Sequence, residues 1–596
     1  MALLKLRTVP AEALGSGYRW VALSNTTLGV LLATINSSII LISLPAIFRG
    51  IHINPLLPGE TSVFLWLVMG YMVVTATLLV TFGRISDMLG RVRMYNLGFA
   101  IFTLGSILLV LTPGDGNVAA VQLIAYRIVQ GIGGAFLFAN SAAILTDAFP
   151  HDQRGLALGL NMIAAIAGSL LGLILGGVLS TIDYRLVFLV SVPVGVIGTV
   201  WAYLALRETA VIASGSRIDW VGNATFGVGL TLLLVGITYG LLPYSGSPMG
   251  WGNPMVLGAL GLGVGLLIAF VIAETQIADP MFRLELFRNR MFAAGNLAGL
   301  LAAIGRGGLQ FMLIIWLQGI WLPLHGYSFA QTPLWAGIYM IPMLAGFMFL
   351  GPISGWLSDR FGARGFSTTG MVLCAVAFLL LTLLPADFTY PEFAAVLLLM
   401  GIGMGLFSSP NTASIMNSLP AGHRGSGSGM RATFMNSGSL VSLGLFFTLV
   451  VIGLASSLPT ALYQGLTANG LPSAAAAQIS HLPPTAALFA AFLGYNPMAT
   501  LIPHHVLVSL PAATRAALLG KRFFPNLISP PFMSGLHLAF YFGAFLSVVA
   551  AAASLLRGRR YIYGVTDAVE EAGGAIEGPQ TVEQLARSEA PAAPGG

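Results

Sequence analysis

The stretch GIGGAFLFANSAAILTDAFPHDQRGLALG at residues 131–159 aligns without gaps with GIGMGLFSSPNTASIMNSLPAGHRGSGSG at residues 401–429, about 270 residues later. A second pair, GRISDMLGRVR at 83–93 and GWLSDRFGARG at 355–365, recurs at nearly the same distance. Charged residues repeat together with the glycines, which disfavours accidental similarity between Gly-rich segments. The chain therefore contains two copies of one structural unit.

The composition excludes most classes of soluble protein. Of the 596 residues, 56% are hydrophobic and only 8% are charged, whereas soluble domains carry roughly 25% charged residues. So few charges cannot cover the surface of a globular enzyme of this size. The basic residues are spread thinly between apolar segments, so we expect no nucleic-acid partner. The single cysteine, Cys374, excludes a disulfide framework and a CxxC site.

Long apolar runs predict a polytopic membrane protein. About 20 apolar residues in a helix cross the bilayer core of about 30 Å, and the chain has fourteen such runs. The predicted spans are 22–48, 62–82, 94–112, 118–146, 156–181, 186–206, 220–243, 253–274, 291–322, 334–357, 367–385, 392–418, 428–454 and 534–556. The distance between the repeats leaves room for six spans in each copy and two between them. The predicted fold is thus all-α, with two six-helix bundles plus two extra helices.

The arrangement of spans and charges predicts the organisation and orientation of the chain. The predicted parts are an N-terminus at 1–21, a six-helix bundle at 22–206, two linker helices at 207–290, a second bundle at 291–556 and a disordered tail at 557–596. The second bundle includes a long extracytoplasmic connection at 455–533, whose prolines disfavour another span. The short outer loops contain only Arg49 and Arg185, whereas basic residues recur in the inner loops. By the positive-inside rule we expect both termini in the cytoplasm and a multi-pass protein of the cytoplasmic membrane.

The repeated loop resembles a motif of the major facilitator superfamily. GRISDMLGRVR is similar to the family's loop between helices 2 and 3, and it supplies Gly83, Asp87, Gly90, Arg91 and Arg93. In the family, this acid and its neighbouring bases are understood to latch the two halves in one conformation. The alternative is that these charges only set the membrane topology.

The latch has a counterpart in the second copy, where Asp359 and Arg360 occupy the corresponding loop. This doubling favours the latch over a purely topological role. Beyond the loop, the resemblance covers nearly the whole chain outside 455–533 and the tail.

A glycine motif in the fifth span resembles the antiporter motif of the same superfamily. GSLLGLILGG at 168–177 supplies Gly168, Gly172, Gly176 and Gly177, with Leu173 in place of the family's proline. Glycines at every fourth position form a smooth stripe that permits close helix contact. The stripe is a candidate hinge or a site of packing alone.

The first span resembles that of the fourteen-helix drug:proton antiporter branch, through INSSIILISLPAI at 35–47. Asn36 stands where that branch has an aspartate, and an asparagine cannot take up a proton. We place no acidic residue at the centre of a span, so a carboxylate relay is not visible. Asp147, expected in a wet loop, and Glu274 are the candidate titrating groups. We expect weak pH dependence, which Asn36→Asp would strengthen by placing a carboxyl group in a low-dielectric cavity.

Polar residues inside the spans are the candidate cavity set. YRIVQGIGG at 126–134 is similar to the family's helix 4 signature and supplies Arg127 and Gln130. Arg127 either faces a wet cavity or snorkels to the outer surface. Arg306 lies among three glycines that permit a broken helix, and it lines a cavity or forms a structural ion pair. Gln310 contributes cavity contacts or helix-to-helix hydrogen bonds.

The resemblance implies a secondary transporter that exports lipophilic small molecules by alternating access, with protons as coupling ions. The alternative is a metabolite or lipid carrier with weak or no proton coupling, and a membrane scaffold or enzyme is a remote alternative. No GxxxxGK[ST] or GxSxG motif supports ATP use or nucleophilic catalysis. We expect a non-enzymatic monomer in the lipid bilayer without cofactor. The histidines of the outer connection lack the spacing of a metal site.

Overall fold

The computed structural model describes residue 15 and residues 17–53, 61–150, 153–209, 219–240, 242, 244–247, 249–277, 280, 282–329, 331–420, 423–492 and 496–558. Fourteen helices in this part of the chain are long and apolar enough to cross a membrane. This number and the all-α architecture confirm the predicted fold class. Most of the predicted N-terminus at 1–21 and of the tail at 557–596 lies outside the described residues.

We number the fourteen helices in chain order. They are α1 Tyr18–Gly50, α2 Thr61–Leu89, α3 Arg91–Val110, α4 Gly116–Ala148, α5 Arg154–Leu179, α6 Tyr184–Ala205, α7 Trp220–Gly240, α8 Pro254–Glu274, α9 Arg290–Leu324, α10 Thr332–Phe361, α11 Ala363–Leu383, α12 Tyr390–Asn417, α13 Arg424–Ala468 and α14 Phe523–Leu555. Helices α1–α6 form the N-terminal half, α9–α14 form the C-terminal half, and α7 and α8 are the two linker helices.

Short polar side chains fix several helix starts. The side chain of Asn253 accepts a hydrogen bond from the N–H of Met255 at 2.9 Å, and the side chain of Asn289 does the same for Met291. Such N-caps satisfy backbone donors that have no partner within the first turn. Polar residues between the apolar runs therefore define where α8 and α9 begin.

The two halves pack across a pseudo-symmetric interface, in which α2 lies on α13 and α5 lies on α10. The equivalent glycines of the repeat, Gly159 and Gly429, lie on these two contacts. A Cβ on Gly159 would lie 2.9 Å from the Cα of Pro352, and a Cβ on Gly429 would lie 2.8 Å from the carbonyl oxygen of Leu79. The repeated sequence thus encodes two equivalent close approaches between the halves.

The connection predicted at 455–533 is shorter in the structure and mostly helical. Helix α13 continues to Ala468 despite Pro459, and α14 already begins at Phe523. Between them lie short helices, three of which directly follow Pro497, Pro503 and Pro511. Proline cannot continue a helix but fits its first turn, so these residues separate short helices instead of permitting a span.

Candidate functional site

Asp87, the aspartate of the predicted latch, joins the two halves at the end of the molecule that carries most loop arginines, which we call the inner end. Asp87 lies in the last turn of α2. Its Oδ1 accepts hydrogen bonds from Nε and Nη2 of Arg91 at 3.0 and 2.8 Å. Its Oδ2 accepts a hydrogen bond from the backbone N–H of Ser426 at 2.8 Å. Because Ser426 lies in the first turn of α13, one carboxylate binds a helix N-terminus of the opposite half.

Asp147 forms a second ionic contact between the halves. It accepts hydrogen bonds from Arg91 and, at 3.4 Å, from Arg424 of the C-terminal half. Its side chain is only 9% exposed, so Asp147 does not lie in the wet loop that the sequence predicts. Burial lowers the pKa of Arg424 from its ordinary value, and the charge of Asp147 opposes this shift. Asp147 therefore balances two arginines at the boundary between the halves.

Gly90 has a structural reason to be glycine. Its φ of +104° is rare for residues with a side chain, and a Cβ there would lie 2.5 Å from Oε2 of Glu208. Glu208 accepts hydrogen bonds from the N–H groups of Arg91 and Val92 at 3.1 and 3.0 Å, which caps α3. Burial raises the pKa of Glu208, and these N–H groups partly offset the rise. No spacing rule connects Glu208 with this loop, so the sequence analysis missed it.

The other residues of the predicted latch have different surroundings. Gly83 is buried in α2, whereas Arg93 is exposed on α3. In the second copy, Arg360 is exposed and its guanidinium lies 4.4 Å from the ring centroid of Trp356. Asp359 is partly buried in the last turn of α10. The structure thus brings Asp87 and Arg91 together with residues of the opposite half, while Arg93 and Arg360 face outward.

Arg127 is buried, and its hydrogen-bond partners belong to the N-terminal half. Its Nη1 donates to Oδ1 of Asn36 and, at 2.9 Å, to Oε1 of Gln130, while its Nε donates to the carbonyl oxygen of Leu67 at 3.3 Å. The guanidinium also lies 4.6 Å from the ring centroid of Tyr71. Arg127 is 1% exposed, so the snorkelling alternative is excluded.

The contact with Asn36 changes the expected effect of Asn36→Asp. The sequence alone predicts that the new carboxyl group lies in a low-dielectric cavity. In the structure, the guanidinium of Arg127 is hydrogen-bonded to this position. An adjacent positive charge favours the ionised carboxylate. We therefore expect Asn36→Asp to form an ion pair and not a proton carrier.

Helix α9 is broken directly after Arg306, as its three glycines predict. Its first segment ends at Arg306 and the next begins at Leu309. A Cβ on Gly307 would lie 2.6 Å from the Cα of Ser439, and the N–H of Gly308 donates to Oγ of Ser442 at 2.8 Å. The glycines therefore let α13 approach the break, and the Ser442 hydroxyl satisfies a backbone donor there.

A cavity of about 260 Å³ lies between the two halves. Arg127 and residues of α1, α2 and α5 line one side, and Arg306, Gln310 and residues of α10, α12 and α13 line the other. Arg306 has no ion pair with any described residue, and its guanidinium lies 6.0 Å from the ring centroid of Phe347. Within the described chain, Nε2 of Gln310 is buried without a hydrogen-bond acceptor. Arg306 and Gln310 thus offer unused donors to a bound molecule.

The glycine stripe of α5 packs against α1, a close helix contact of the kind that its spacing permits. A Cβ on Gly168, Gly172 or Gly176 would lie 2.6–2.9 Å from a backbone carbonyl oxygen of α1. Gly177 instead faces the opposite half, where its Cβ would lie 2.7 Å from the Cα of Leu334. The stripe lets two helices of one half touch at the backbone, and Gly177 extends this contact to the other half.

Comparisons with known proteins agree with this architecture. The riboflavin transporter RibZ of Clostridioides difficile is 29% identical over 70% of this chain and 85% of its own length. The tetracenomycin C resistance and export protein of Streptomyces glaucescens is 26% identical over 92% of this chain and 93% of its own length. The multidrug transporter protein MdtP of Bacillus subtilis is 27% identical over 83% of this chain and 86% of its own length.

A solved structure and a family pattern identify the fold and the family. The structure of the proton:xylose symporter XylE superimposes with a TM-score of 0.51 and 15% identity, over 82% of this chain and 96% of the symporter. At this identity the likeness concerns the fold alone. The pattern of the Major Facilitator Superfamily matches residues 26–443, which is most of the chain. The chain therefore belongs to the Major Facilitator Superfamily, and its relatives include transporters of the multidrug efflux type.

Proposed function

We propose that this protein exports lipophilic small molecules across the cytoplasmic membrane by alternating access between its two halves. The observation that carries the proposal is the cavity between the halves, which both halves line. Many transporters bind their substrate at such an interface between repeats. The contacts of Asp87 and Asp147 across the inner end would have to break for the cavity to open there.

The charge of the cavity favours neutral or anionic cargo. Arg127 and Arg306 line it, and no described lining residue is acidic. A low-dielectric site with positive charge disfavours multiply charged cations. Because Arg127 is already hydrogen-bonded to Asn36 and Gln130, Arg306 is the cation left to bind an anionic cargo group.

The relatives support export of drugs and leave one alternative. The tetracenomycin C resistance and export protein matches nearly the full length of this chain, which favours an exporter. The similarity to a riboflavin transporter favours a second candidate, a metabolite carrier with weak or no proton coupling. Asn36 in place of the usual aspartate is compatible with the second candidate.

Transport into proteoliposomes with an imposed pH gradient tests the proposal. The cargo set is a neutral aromatic dye, a carboxylate-bearing analogue of it and a bis-quaternary ammonium dye. We expect transport of the first two with counter-movement of protons, and little transport of the dication. Efficient transport of the dication would contradict the proposed charge preference, whereas transport without proton flux would favour the metabolite carrier.

A further inference from the structure

The two linker helices contact both halves of the transporter. On α7, the hydroxyl of Thr238 donates to Sδ of Met69 in α2 at 3.2 Å. On the same helix, Ile237 packs against Gly444 of α13. A Cβ on this glycine would lie 2.6 Å from Cγ2 of Ile237. The pair α7–α8 therefore lies against the α2–α13 contact, where the halves meet. A group on these helices can respond to the separation of the halves.

Two carboxyl groups face each other at the inner end of this helix pair. Asp219 directly precedes α7, and Glu274 is the last residue of α8. A Cβ on Gly222 would lie 2.1 Å from Oδ2 of Asp219 and 2.5 Å from Oε1 of Glu274, so both oxygens border one methyl-sized space. Because both oxygens border this one space, the two carboxyl groups face each other. Asp219 is 9% exposed and Glu274 is 4% exposed.

The hydrogen bonds of the pair require a proton. The other oxygens are occupied, because Oδ1 of Asp219 accepts from the N–H of Gly222 at 2.7 Å and Oε2 of Glu274 accepts from the N–H of Phe282 at 2.9 Å. No described residue donates a hydrogen bond to the two facing oxygens. Ionised carboxylates are acceptors only. The facing oxygens can therefore bond to each other only when one of them carries a proton.

Basic side chains lie beside the pair, and the arginine on α2 is almost inaccessible to water. On α2, Arg84 is 3% exposed and interacts favourably with Glu274. The short helix Leu284–Arg288 directs its charged residues Glu285 and Arg288 outward, where both are exposed. One proton shared by Asp219 and Glu274 avoids two ionised carboxylates side by side, whose like charges repel each other. A buried uncompensated charge is strongly unfavourable.

Phenylalanine rings from three packed helices form an apolar cluster around Phe282, whose backbone N–H binds Glu274. Phe282 contacts Phe226 of α7, Phe270 of α8 and Phe434 of α13, with ring centroids 5.7–6.2 Å apart. The contact that α13 makes with this cluster through Phe434 is apolar. Next to the pair, Arg283 is partly buried. The apolar cluster strengthens the electrostatic cost of removing the proton.

The pair is connected to the latch through one helix end. Arg84 lies three residues before Asp87 on α2, and the hydroxyl of Thr81, one turn earlier, donates to Oδ1 of Asn223 on α7. Asp87 in turn accepts from the N–H of Ser426 across the halves. A change of charge at the pair therefore acts on the same turn of α2 that joins the halves.

We propose that Asp219 and Glu274 together bind the proton that this transporter exchanges for its cargo. The proposal rests on the proposed transport function. With the proton bound, the two facing oxygens bond to each other and α2 stays packed against the linker helices. Uptake of a proton from the outer side forms one O–H bond at the pair, and its loss to inner water breaks that bond. The loss leaves two like charges side by side, which favours hydration of the pair and separation of the inner end. A coupling site here removes the need for the missing carboxylate at Asn36.

Infrared spectroscopy tests proton occupancy without any cargo. We expect the full-length protein in nanodiscs at neutral pH to show a C=O stretching band of a protonated carboxylic acid at this pair. The band should be lost in both Glu274→Gln and Asp219→Asn, because the new amide donates to the remaining carboxylate and no proton is needed. The exposed Glu285→Gln is the matched control and should keep the band. Absence of any difference between wild type and both variants would overturn the proposal.

Proteoliposome transport tests the coupling role. At one proton per cargo molecule, a gradient of one pH unit drives about tenfold accumulation. We expect wild type and Glu285→Gln to show this accumulation, and Glu274→Gln and Asp219→Asn to lose it while retaining cargo exchange at equal pH. Full accumulation by both variants would overturn the coupling site but leave the exporter intact. If wild type moved no cargo at all, the proposed function would fail, and the infrared comparison would still decide whether the pair holds a proton.

Discussion

At the residue scale, similar charged side chains differ by what surrounds them. Arg127 is held by Asn36 and Gln130 and therefore organises its own half. Arg306 has no ion pair with a described residue and borders the cavity, so it is available to a ligand. Asp87 differs from both, because its two oxygens bond to groups in different halves. The role of each charge depends on its partners and not on its depth in the membrane alone.

We expect Asp87→Asn to lower transport by more than about tenfold, since a hydrogen bond to a charged group contributes about 1.5–3 kcal/mol. The substitution removes the charge that faces Arg91 and the N-terminus of α13 but preserves side-chain volume. The protein should still insert and remain monodisperse. Exposed Asp115→Asn serves as a carboxylate-to-amide control. Wild-type turnover by well-folded Asp87→Asn would remove the latch from this account.

Arg306→Gln should change the selectivity of transport. We expect transport of a carboxylate-bearing lipophile to fall by about tenfold, equivalent to 1.4 kcal/mol, with little change for its neutral amide analogue. The reason is loss of the cavity guanidinium that has no hydrogen bond to a described residue, whereas Arg127 is already bonded to Asn36 and Gln130. The measurement is uptake of the matched pair by wild type, Arg306→Gln and exposed Arg288→Gln. Equal losses for both cargoes would show that Arg306 supports the structure and does not select cargo charge.

Position 36 should respond oppositely to two substitutions. Asn36→Asp places a carboxylate against Arg127, so we expect normal expression and a pH profile of transport like that of wild type. Asn36→Ala removes an acceptor from a buried guanidinium and should lower stability by about 1–3 kcal/mol. Thermal unfolding in detergent and transport rate against pH check these outcomes. A steeper pH profile in Asn36→Asp would indicate that the new carboxyl group does exchange protons.

At the element scale, glycines decide how closely neighbouring helices approach. The stripe on α5 brings its backbone against α1, and the glycines after Arg306 admit α13 to the break in α9. In both places, the backbone of the neighbouring helix occupies the space that a side chain would fill. Packing at such contacts is the main attraction between helices in lipid, where the hydrophobic effect is absent.

Gly172→Ala should therefore destabilise the N-terminal half. The added Cβ would lie 2.6 Å from the carbonyl oxygen of Ile35, which must shift. Overpacking of this kind costs about 1–3 kcal/mol. Gly261→Ala on α8 is the control, because a Cβ there meets no atom within 4 Å. Unfolding temperatures of the two variants test the prediction, and equal stability would mean that α5 moves freely away from α1.

At the scale of the whole molecule, the repeat produces two equivalent contacts between the halves. Gly159 and Gly429 occupy corresponding positions of the two copies, and each faces a helix of the opposite half. The ionic contacts of Asp87 and Asp147 lie at the same end as these glycines. The described structure is thus closed at its inner end by packing and charge together.

Enlarging one of these glycines should open that end. We expect Gly429→Leu to increase hydrogen–deuterium exchange in peptides that cover 79–89 and 424–430, because a large side chain cannot fit against the carbonyl oxygen of Leu79. Gly258→Leu on α8, where a Cβ meets open space, should leave exchange unchanged. Unaltered exchange in Gly429→Leu would show that this contact does not hold the inner end closed.

The sequence by itself determined the features that can be recognised from patterns along the chain. The fourteen spans follow from the length and apolar character of single segments. The two halves follow from the repeat at 131–159 and 401–429. The stripe beginning at Gly168 and the break after Arg306 follow from local glycine spacing. Each of these features is a pattern within short segments of the chain, or the recurrence of such a segment. It can therefore be recognised without knowledge of the fold.

Only the tertiary structure decided which groups meet. The N–H of Ser426 that binds Asp87 lies 339 residues away in the chain, and no spacing rule links them. The same holds for Glu208 at the start of α3 and for Asp219 opposite Glu274. Hydrogen bonds and proton sharing require contact within a few ångströms, and helix packing sets which distant residues come that close.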